Sequence, residues 1–529
     1  MFNMKENNAS YHPIILSMVL VFGLLIGYFI MPSEQNITSI EIGQKSKINN
    51  ILHLIQKEYV DIVNQAQLEG NAVKSILKEL DPHSTYITKE DIKTVNEDME
   101  GSFGGIGVEF IIQQDTIVVV SPISGGPSER LGIRSGDRIL VVEQESVAGI
   151  GIENKGVINR LRGEIGTKVS VQIKRNKVKT LLKYIITRGE IPLFSLDAKL
   201  ILDEDIGYIK LNRFSGTTSN EFYDAAKELL NSGMESLILD LRQNPGGYLD
   251  AAINVSDQFL GNKEIIVFTE GRNRKRKEFY AKKGGLLENI EVVVLVDEGS
   301  ASASEIVAGA IQDNDRGNVI GRRTFGKGLV QEQIPLYDGS VIRLTTQRYY
   351  TPTGRNIQRP YNKGSEDYYM EVYKRFENGE LNNKDSISFA DSLIFKTPKG
   401  NLVYGGGGIM PDYFIAIDTS LNNKSLTQIF NKGWFYDFCF YYADKHRETL
   451  NKEIIKKLNV LAPFEIFLKN KDADFNFNLN KKETDYLDTQ LKANIGRNLW
   501  GNSVFYSFLL TEDKFVKKAK ELFNNPVGQ

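Results

Sequence analysis

The chain has 529 residues, with 65 Lys and Arg against 67 Asp and Glu, a formal net charge of −2. Hydrophobic residues at 41% and charged residues at 25% are ordinary for a globular protein and exclude global disorder, while the near-zero balance excludes a bulk nucleic-acid footprint. One cysteine, Cys439, excludes a disulfide framework or Cys-rich metal site, and only His12, His53, His83 and His446 are available for imidazole chemistry.

In chain order, the first feature is the run Ile14 to Met31, which carries no charge. Eighteen helical residues rise about 27 Å, enough to cross a hydrocarbon core. Lys5 precedes the run, partly offset by Glu6, and Glu34 and Glu41 follow it, which favours an inside amino terminus. Bulky Tyr28-Phe29-Ile30-Met31 leaves no small-residue cleavage site, so residues 1–35 read as a tail and an uncleaved membrane anchor. Residues 36–100 read as a polar helical arm, with apolar spacing at Ile51, Leu52, Leu54 and Ile55, then Ala72, Val73, Ile76 and Leu77. The turn Leu80-Asp81-Pro82-His83-Ser84 stops that pattern.

Residues 101–190 change to short β-runs with glycine turns, among them Gly107 to Phe110, Thr116 to Val120 and Val169 to Ile173. Residues 191–418 alternate strand and helix. Strands are expected at Ile206 to Leu211, Ser236 to Leu241, Ile290 to Val296 and Val341 to Thr345, and helices at Ser219 to Leu230, Tyr248 to Phe259 and Ser302 to Asp313. Polar residues 361–395 read as an insertion. Residues 419–529, rich in Lys, Asn and Phe, read as a mostly helical extension whose aromatics (Phe435, Tyr436, Phe438, Phe440, Tyr441, Tyr442) form a core or docking face. The basic run Arg272 to Lys277 reads as a solvated loop.

Two constellations carry chemistry. Gly101-Ser102-Phe103-Gly104-Gly105-Ile106-Gly107-Val108 places a glycine loop before a strand, where successive N–H groups can form a nest for a carboxylate. Downstream, Ser135-Gly136-Asp137-Arg138-Ile139-Leu140 and Leu161-Arg162-Gly163 complete a segment that resembles a PDZ domain. In such a domain a peptide adds as a strand beside Gly107 to Phe110, and Gly105, Ile106, Gly107 and Val108 are the expected substrate-binding residues. The second constellation pairs Ser300-Ala301-Ser302-Ala303-Ser304-Glu305, opening an apolar helix after the strand Val292 to Val296, with Thr324-Phe325-Gly326-Lys327-Gly328. Taken singly, a serine at a helix start is a cap and a lone lysine is a solvated side chain. Together they suit acyl transfer, because desolvation neutralises a buried lysine and a helix amino terminus stabilises nearby negative charge.

Over residues 45–418 the chain resembles the carboxyl-terminal processing peptidases, a tail-specific family of serine peptidases with a Ser/Lys dyad. Leu80 to Tyr86, Gly101 to Phe110, Asp240 to Gly247, Gly299 to Asp313, Arg323 to Gln331, Tyr349 to Gln358 and Gly405 to Asp412 carry the resemblance. It implies an α/β core of ClpP/crotonase-like type, Ser302 as nucleophile, Lys327 as general base and Gln331 as the residue that orients the lysine. It also implies oxyanion donors at Ala303 and Gly246. Asp313 matches an acidic position of the family and is read as structural support, and Ser300 and Ser304 are read as helix-cap and packing groups. His83 is read as structural. The expectation is a single-pass inner-membrane endopeptidase with its catalytic part on the outer or periplasmic side. It would act on proteins with flexible carboxyl-terminal tails, need no cofactor or metal and bind no nucleic acid; similar proteins often form homo-oligomers. The alternatives are a non-catalytic PDZ scaffold with an inactive core, and an acyl-CoA enzyme on the same core.

Overall fold

The computed structural model describes residues 17–21, 23, 47–176, 178–203, 205–387 and 390–525. The chain divides into two units, residues 1–73 and 74–529. In the first, Ser17 to Val21 and Gly23 are helical, and helix α1 (Lys47–Glu58) buries no residue. Most of the expected anchor, Ile14 to Met31, lies outside the described residues. Among the described residues no helix is long and apolar enough to cross a membrane. Helix α2 (Gln65–Lys78) runs across the division between the units.

The second unit opens with a surprise for the helical-arm reading. After the Asp81–Ser84 turn, Thr85–Ile87 form strand β1, and helix α3 (Lys89–Glu100) follows, capped by the Thr88 hydroxyl. The PDZ-like segment then supplies β2 (Ser102–Gly105), β3 (Val108–Ile112), β4 (Ile117–Pro122), helix α4 (Pro127–Arg130), β5 (Arg138–Val142), β6 (Glu145–Ser146), helix α5 (Asn154–Leu161), β7 (Lys168–Lys174), β8 (Leu182–Thr187) and β9 (Gly189–Pro192). Strands pair in the order β3-β4-β5-β7-β8, with β6 on β5, and β2 pairs separately with β9. Alternation along β7 sends Val169, Val171 and Ile173 into a small core with Ile117, Val119, Ile139, Val157 and Leu161.

The catalytic-type core is a six-stranded sheet in the order β10 (Leu196–Leu202), β11 (Ile206–Leu211), β12 (Ser236–Asp240), β15 (Glu291–Val296), β16 (Asn318–Gly321) and β21 (Tyr413–Phe414). Its strands β11, β12, β15 and β16 are parallel and buried on both faces, as their unbroken apolar runs require. Leu237, Leu239, Val292 and Val294 point to one core with helices α6 (Thr218–Asn231), α7 (Leu249–Asp257) and α8 (Ala303–Asp313). Ile238, Val293, Leu295 and Ile320 point to the opposite core. A second sheet, β1-β18-β13-β14 with β17 beside β18, contains β13 (Ile265–Gly271), β14 (Arg274–Tyr280), β17 (Leu329–Pro335) and β18 (Val341–Tyr350). Thus β1 joins a sheet of the α/β core, with Thr85 opposite Arg343. The basic run is also corrected: Arg274 to Lys277 lie in edge strand β14, with charged side chains facing solvent at an edge that charge keeps from pairing onward. The polar insertion holds helix α9 (Ser365–Glu377), whose Tyr368 and Arg375 are buried.

The extension folds into α10 (Lys424–Asn431), α11 (Trp434–His446), α12 (Lys452–Lys457), α13 (Leu461–Lys471), α14 (Lys481–Trp500), α15 (Asn502–Glu512) and α16 (Lys514–Asn524). Phe435, Phe438, Phe464, Leu487 and Leu491 build its own core. Its last two helices do something the sequence reading left unassigned. Leu510, Val516, Ala519 and Leu522 pack on Ile238, Val293, Leu295 and Ile320, so α15 and α16 close the second face of the central sheet. Asp513 also pairs with Arg242 at 2.8 Å, and Arg242 and Arg322 lie over the Phe515 ring. Leu510→Ala is therefore expected to destabilise the core by about 2–5 kcal/mol, the range for emptying a buried leucine site. Urea unfolding followed by the core's own signal checks this, and a loss confined to the extension's transition would show that the helices only lean on the sheet.

Candidate active site

Ser302 sits between β15 and α8 with φ +56° and ψ −112°. A residue with a Cβ is strained there. The turn is fixed from below: Ser300 Oγ donates to Leu241 O at 2.8 Å, and Ser304 Oγ donates to Asn244 O at 2.9 Å. Ala301 N–H also donates to Asn244 O, at 3.0 Å. A loop from β12 therefore presses against the serine turn. A Cβ added at Gly246 would stand 2.8 Å from Ser302 Cβ and 2.6 Å from Ala301 O, and Gly246 has φ +94°, so only glycine fits.

Lys327 lies on the loop before β17, and a fully buried carboxylate joins that loop to the serine turn. Glu305 Oε2 accepts the N–H groups of Ser302 at 2.8 Å and Lys327 at 2.9 Å. Its Oε1 accepts Gly326 N–H at 2.7 Å and the Thr324 hydroxyl at 2.5 Å. Burial pushes the Glu305 carboxyl pKa up, with these four donors pulling against it. From the other side, the buried Tyr349 hydroxyl reaches the carbonyl oxygens of Ser302 (3.1 Å) and Lys327 (2.5 Å). Two buried side chains thus hold both backbone segments in one register. Neither was read from the sequence; the Ser-x-x-Glu spacing of a capping box was the available signal for Glu305.

Lys327 as a whole residue is half-buried, and the pKa of its amine is lowered from the ordinary 10.5 to about 8. Burial is the largest cause and positive Arg343 adds to it, while Glu305 and Asp81 act in the opposite direction. Asp81 belongs to the turn before β1 and accepts His83 N–H (2.8 Å), Ser84 N–H (2.9 Å), Ser84 Oγ (2.6 Å) and Thr345 Oγ1 (3.1 Å). His83 Nε2 bonds the Tyr368 hydroxyl of α9 at 2.9 Å. Burial, then Lys327, lowers the His83 pKa to about 4, so the ring is neutral near pH 7. Arg375 of α9 donates to Thr324 O at 2.7 Å, and Arg359 lies between the Phe325 and Tyr368 rings at 3.8 and 4.0 Å. The polar insertion therefore braces the lysine loop.

The remaining sequence candidates are placed as follows. Gln331 lies on β17 with Nε2 3.4 Å from Thr345 Oγ1. Ala303 is the first residue of α8, and its N–H has no acceptor among the described residues. Gly246 requires correction as an oxyanion donor: its N–H donates to Asn244 Oδ1 at 2.9 Å. The next N–H, that of Gly247, has no acceptor among the described residues, because the Phe214–Gly247 bridge uses Gly246 O and Tyr248 N–H. Asp313 forms a buried ion pair with Arg355 at 2.5 Å, away from the serine turn at the far end of α8. In the PDZ segment, Ile106, Gly107 and Val108 line a cleft of about 510 Å³ between β3 and α5, and the fourth sequence candidate, Gly105, is the last residue of β2 and does not line it.

A strained serine at a helix start, fastened through buried groups to a lysine of lowered pKa on an α/β core, is an arrangement suited to the chemistry of a serine peptidase. Residues 205–364 match peptidase family S41, residues 104–185 match the PDZ domain, and residues 425–501 match a family of unknown function. The carboxy-terminal-processing protease of Bartonella bacilliformis is 38% identical over 320 residues, covering 60% of this chain and 73% of that protein. The carboxy-terminal processing protease CtpB of Bacillus subtilis is 35% identical over 320 residues, covering 59% of this chain and 65% of that protein. A solved photosystem II D1 C-terminal processing protease aligns with 26% identity and a TM-score of 0.37, covering 70% of this chain and 87% of that one. The chain belongs to the carboxy-terminal processing proteases of peptidase family S41.

Glu305→Gln should preserve the shape but leave at least one buried donor unpaired, costing about 1–3 kcal/mol of stability. Displacing the serine and lysine segments should also lower kcat/KM by about 10²-fold. Urea unfolding and peptide hydrolysis measure the two effects, and a variant with wild-type turnover would remove Glu305 from this role.

Proposed function

We propose that the chain is a membrane-anchored serine endopeptidase that captures flexible carboxyl-terminal tails on its PDZ domain and cleaves them through an acyl-enzyme. The observation that carries the reading is the joint anchoring of the Ser302 and Lys327 segments by Glu305 and Tyr349, beside a lysine pKa of about 8. Neutral Lys327 takes the Ser302 hydroxyl proton as Oγ attacks the scissile carbonyl carbon. The resulting oxyanion is held by the Ala303 N–H and by a glycine N–H of the Gly246–Gly247 turn, where Gly247 is the donor without an internal acceptor. The ammonium then protonates the leaving amine, and water resolves the ester with Lys327 again as base. Gln331 acts through Thr345, which bonds Asp81, the carboxylate that favours the lysine's ammonium form.

Ser302→Ala and Lys327→Ala should each abolish cleavage of a protein with a flexible apolar tail; wild-type cutting by either variant sinks the dyad. Because the lysine works neutral, kcat/KM should rise with pH through an inflection near 8. Arg343→Gln removes a positive neighbour that disfavours the ammonium, so the lysine pKa should rise and the inflection should move to higher pH.

The uncharged run Ile14 to Met31 supplies the anchor in this reading and places the catalytic part on the outer or periplasmic side. Full-length protein should remain in carbonate-washed membranes, and a chain starting at residue 36 should be released. Release of both forms would remove the anchor.

A further inference from the structure

The PDZ cleft is not built by the PDZ segment alone. Beyond β3 and α5, its wall includes Arg213 of the β11–α6 loop and Arg497 and Asn502 of the extension. Neither Arg213 nor Arg497 has a carboxylate partner among the described residues: the Arg213 Nε–H donates to Asn212 Oδ1 at 3.3 Å, and Arg497 lies 5.5 Å from the Phe505 ring centroid. The other charged groups in the cleft have partners of their own, although Asp197 and Glu109, bonded to neutral donors, keep their negative charge. Arg162 pairs with Glu97 at 3.2 Å and covers the Phe103 ring. The two Asp197 oxygens accept from Asn502 Nδ2 at 2.6 Å and Tyr506 OH at 2.5 Å, and Glu109 accepts from Ser121 Oγ at 3.0 Å. Two guanidiniums thus remain for a ligand, one from the peptidase core and one from the extension.

One of them is tied through the backbone to the serine turn. Arg213 directly precedes Phe214, which donates its N–H to Gly246 O at 2.9 Å, and Gly246 abuts Ser302. A tail seated on Gly105 to Val108 and passing Arg213 is already on the backbone segment that leads to the serine. We propose that Arg213 and Arg497 bind carboxylates of the captured tail, so that the extension selects substrates whose carboxyl ends are acidic. The carboxylate is an Asp or Glu side chain near the tail's end or the terminal carboxylate itself. This rests on the tail-capture reading above.

The test uses the full chain carrying Ser302→Ala, to prevent turnover, and fluorescent ten-residue peptides with an apolar last residue. Fluorescence anisotropy compares four forms: free acid or terminal amide, each with Asp or Asn at the two preceding positions. The free acid with Asp should bind best, and Arg213→Gln or Arg497→Gln should each weaken it by about 3- to 10-fold, as expected for a partly exposed charge-assisted pair. If side chains are the partners, the Asp-containing amide is weakened and the Asn free acid is unaffected; if the terminal carboxylate is the partner, the pattern reverses. Uniform weakening of all four, or of none, overturns the inference while leaving tail capture standing. Failure of every peptide to bind overturns both.

Discussion

Everything in the catalytic region depends on a carboxylate that water cannot reach. Glu305 is wholly buried, and its two oxygens are shared between the turn that carries Ser302 and the loop that carries Lys327. A buried carboxylate is costly unless fully hydrogen-bonded, so four donors must converge on it, and that requirement fixes the distance between two segments remote in sequence. Tyr349 spans the same gap on carbonyl oxygens, using the opposite polarity. The geometry of both segments is thereby set through the backbone, and burial is the largest cause of the lowered Lys327 pKa.

Strain and bracing then divide between different parts of the chain. The serine turn is held by the β12 loop through Asn244, while the lysine loop is held by α9 and by the Asp81 turn through Thr345 and β18. The helices at the carboxyl end provide the other face of the central sheet, where Asp513 meets Arg242 beside buried Asp240. Burial alone would raise the Asp240 pKa, but Arg242, Lys210 and the Tyr208 hydroxyl outweigh it and hold the carboxyl well below its usual range. The chemistry occupies a few residues, yet the framework that positions them draws on nearly every segment from residue 81 onward.

What the sequence made legible follows from burial. Strands β11, β12 and β15 were readable because apolar runs buried on both faces have few other interpretations, and the segments around Ser302 and Lys327 stood out because their flanking glycines and small residues form a specific pattern. Strand β14 was hidden because Arg274 to Lys277 look like a charge run until an edge strand gives them one solvent face. Strand β1 was hidden because three residues carry no period. Gly246 and Gly247 are indistinguishable as letters; only the Asn244 side chain, which takes one N–H, separates them. The packing role of Leu510, Val516, Ala519 and Leu522 could not be seen either, since an amphipathic helix advertises a buried face but not its partner.

Strand β1 has a consequence for when the enzyme becomes competent. Thr85 must wait for Arg343 before it can pair, and the sheet's second face stays bare until Leu522 has been made. Contacts between such distant parts of a chain carry a high loop-closure cost and form late. During synthesis from the amino end, Ser302 therefore emerges before Arg343 and Leu522, the residues that complete the two sheets around it, have been made.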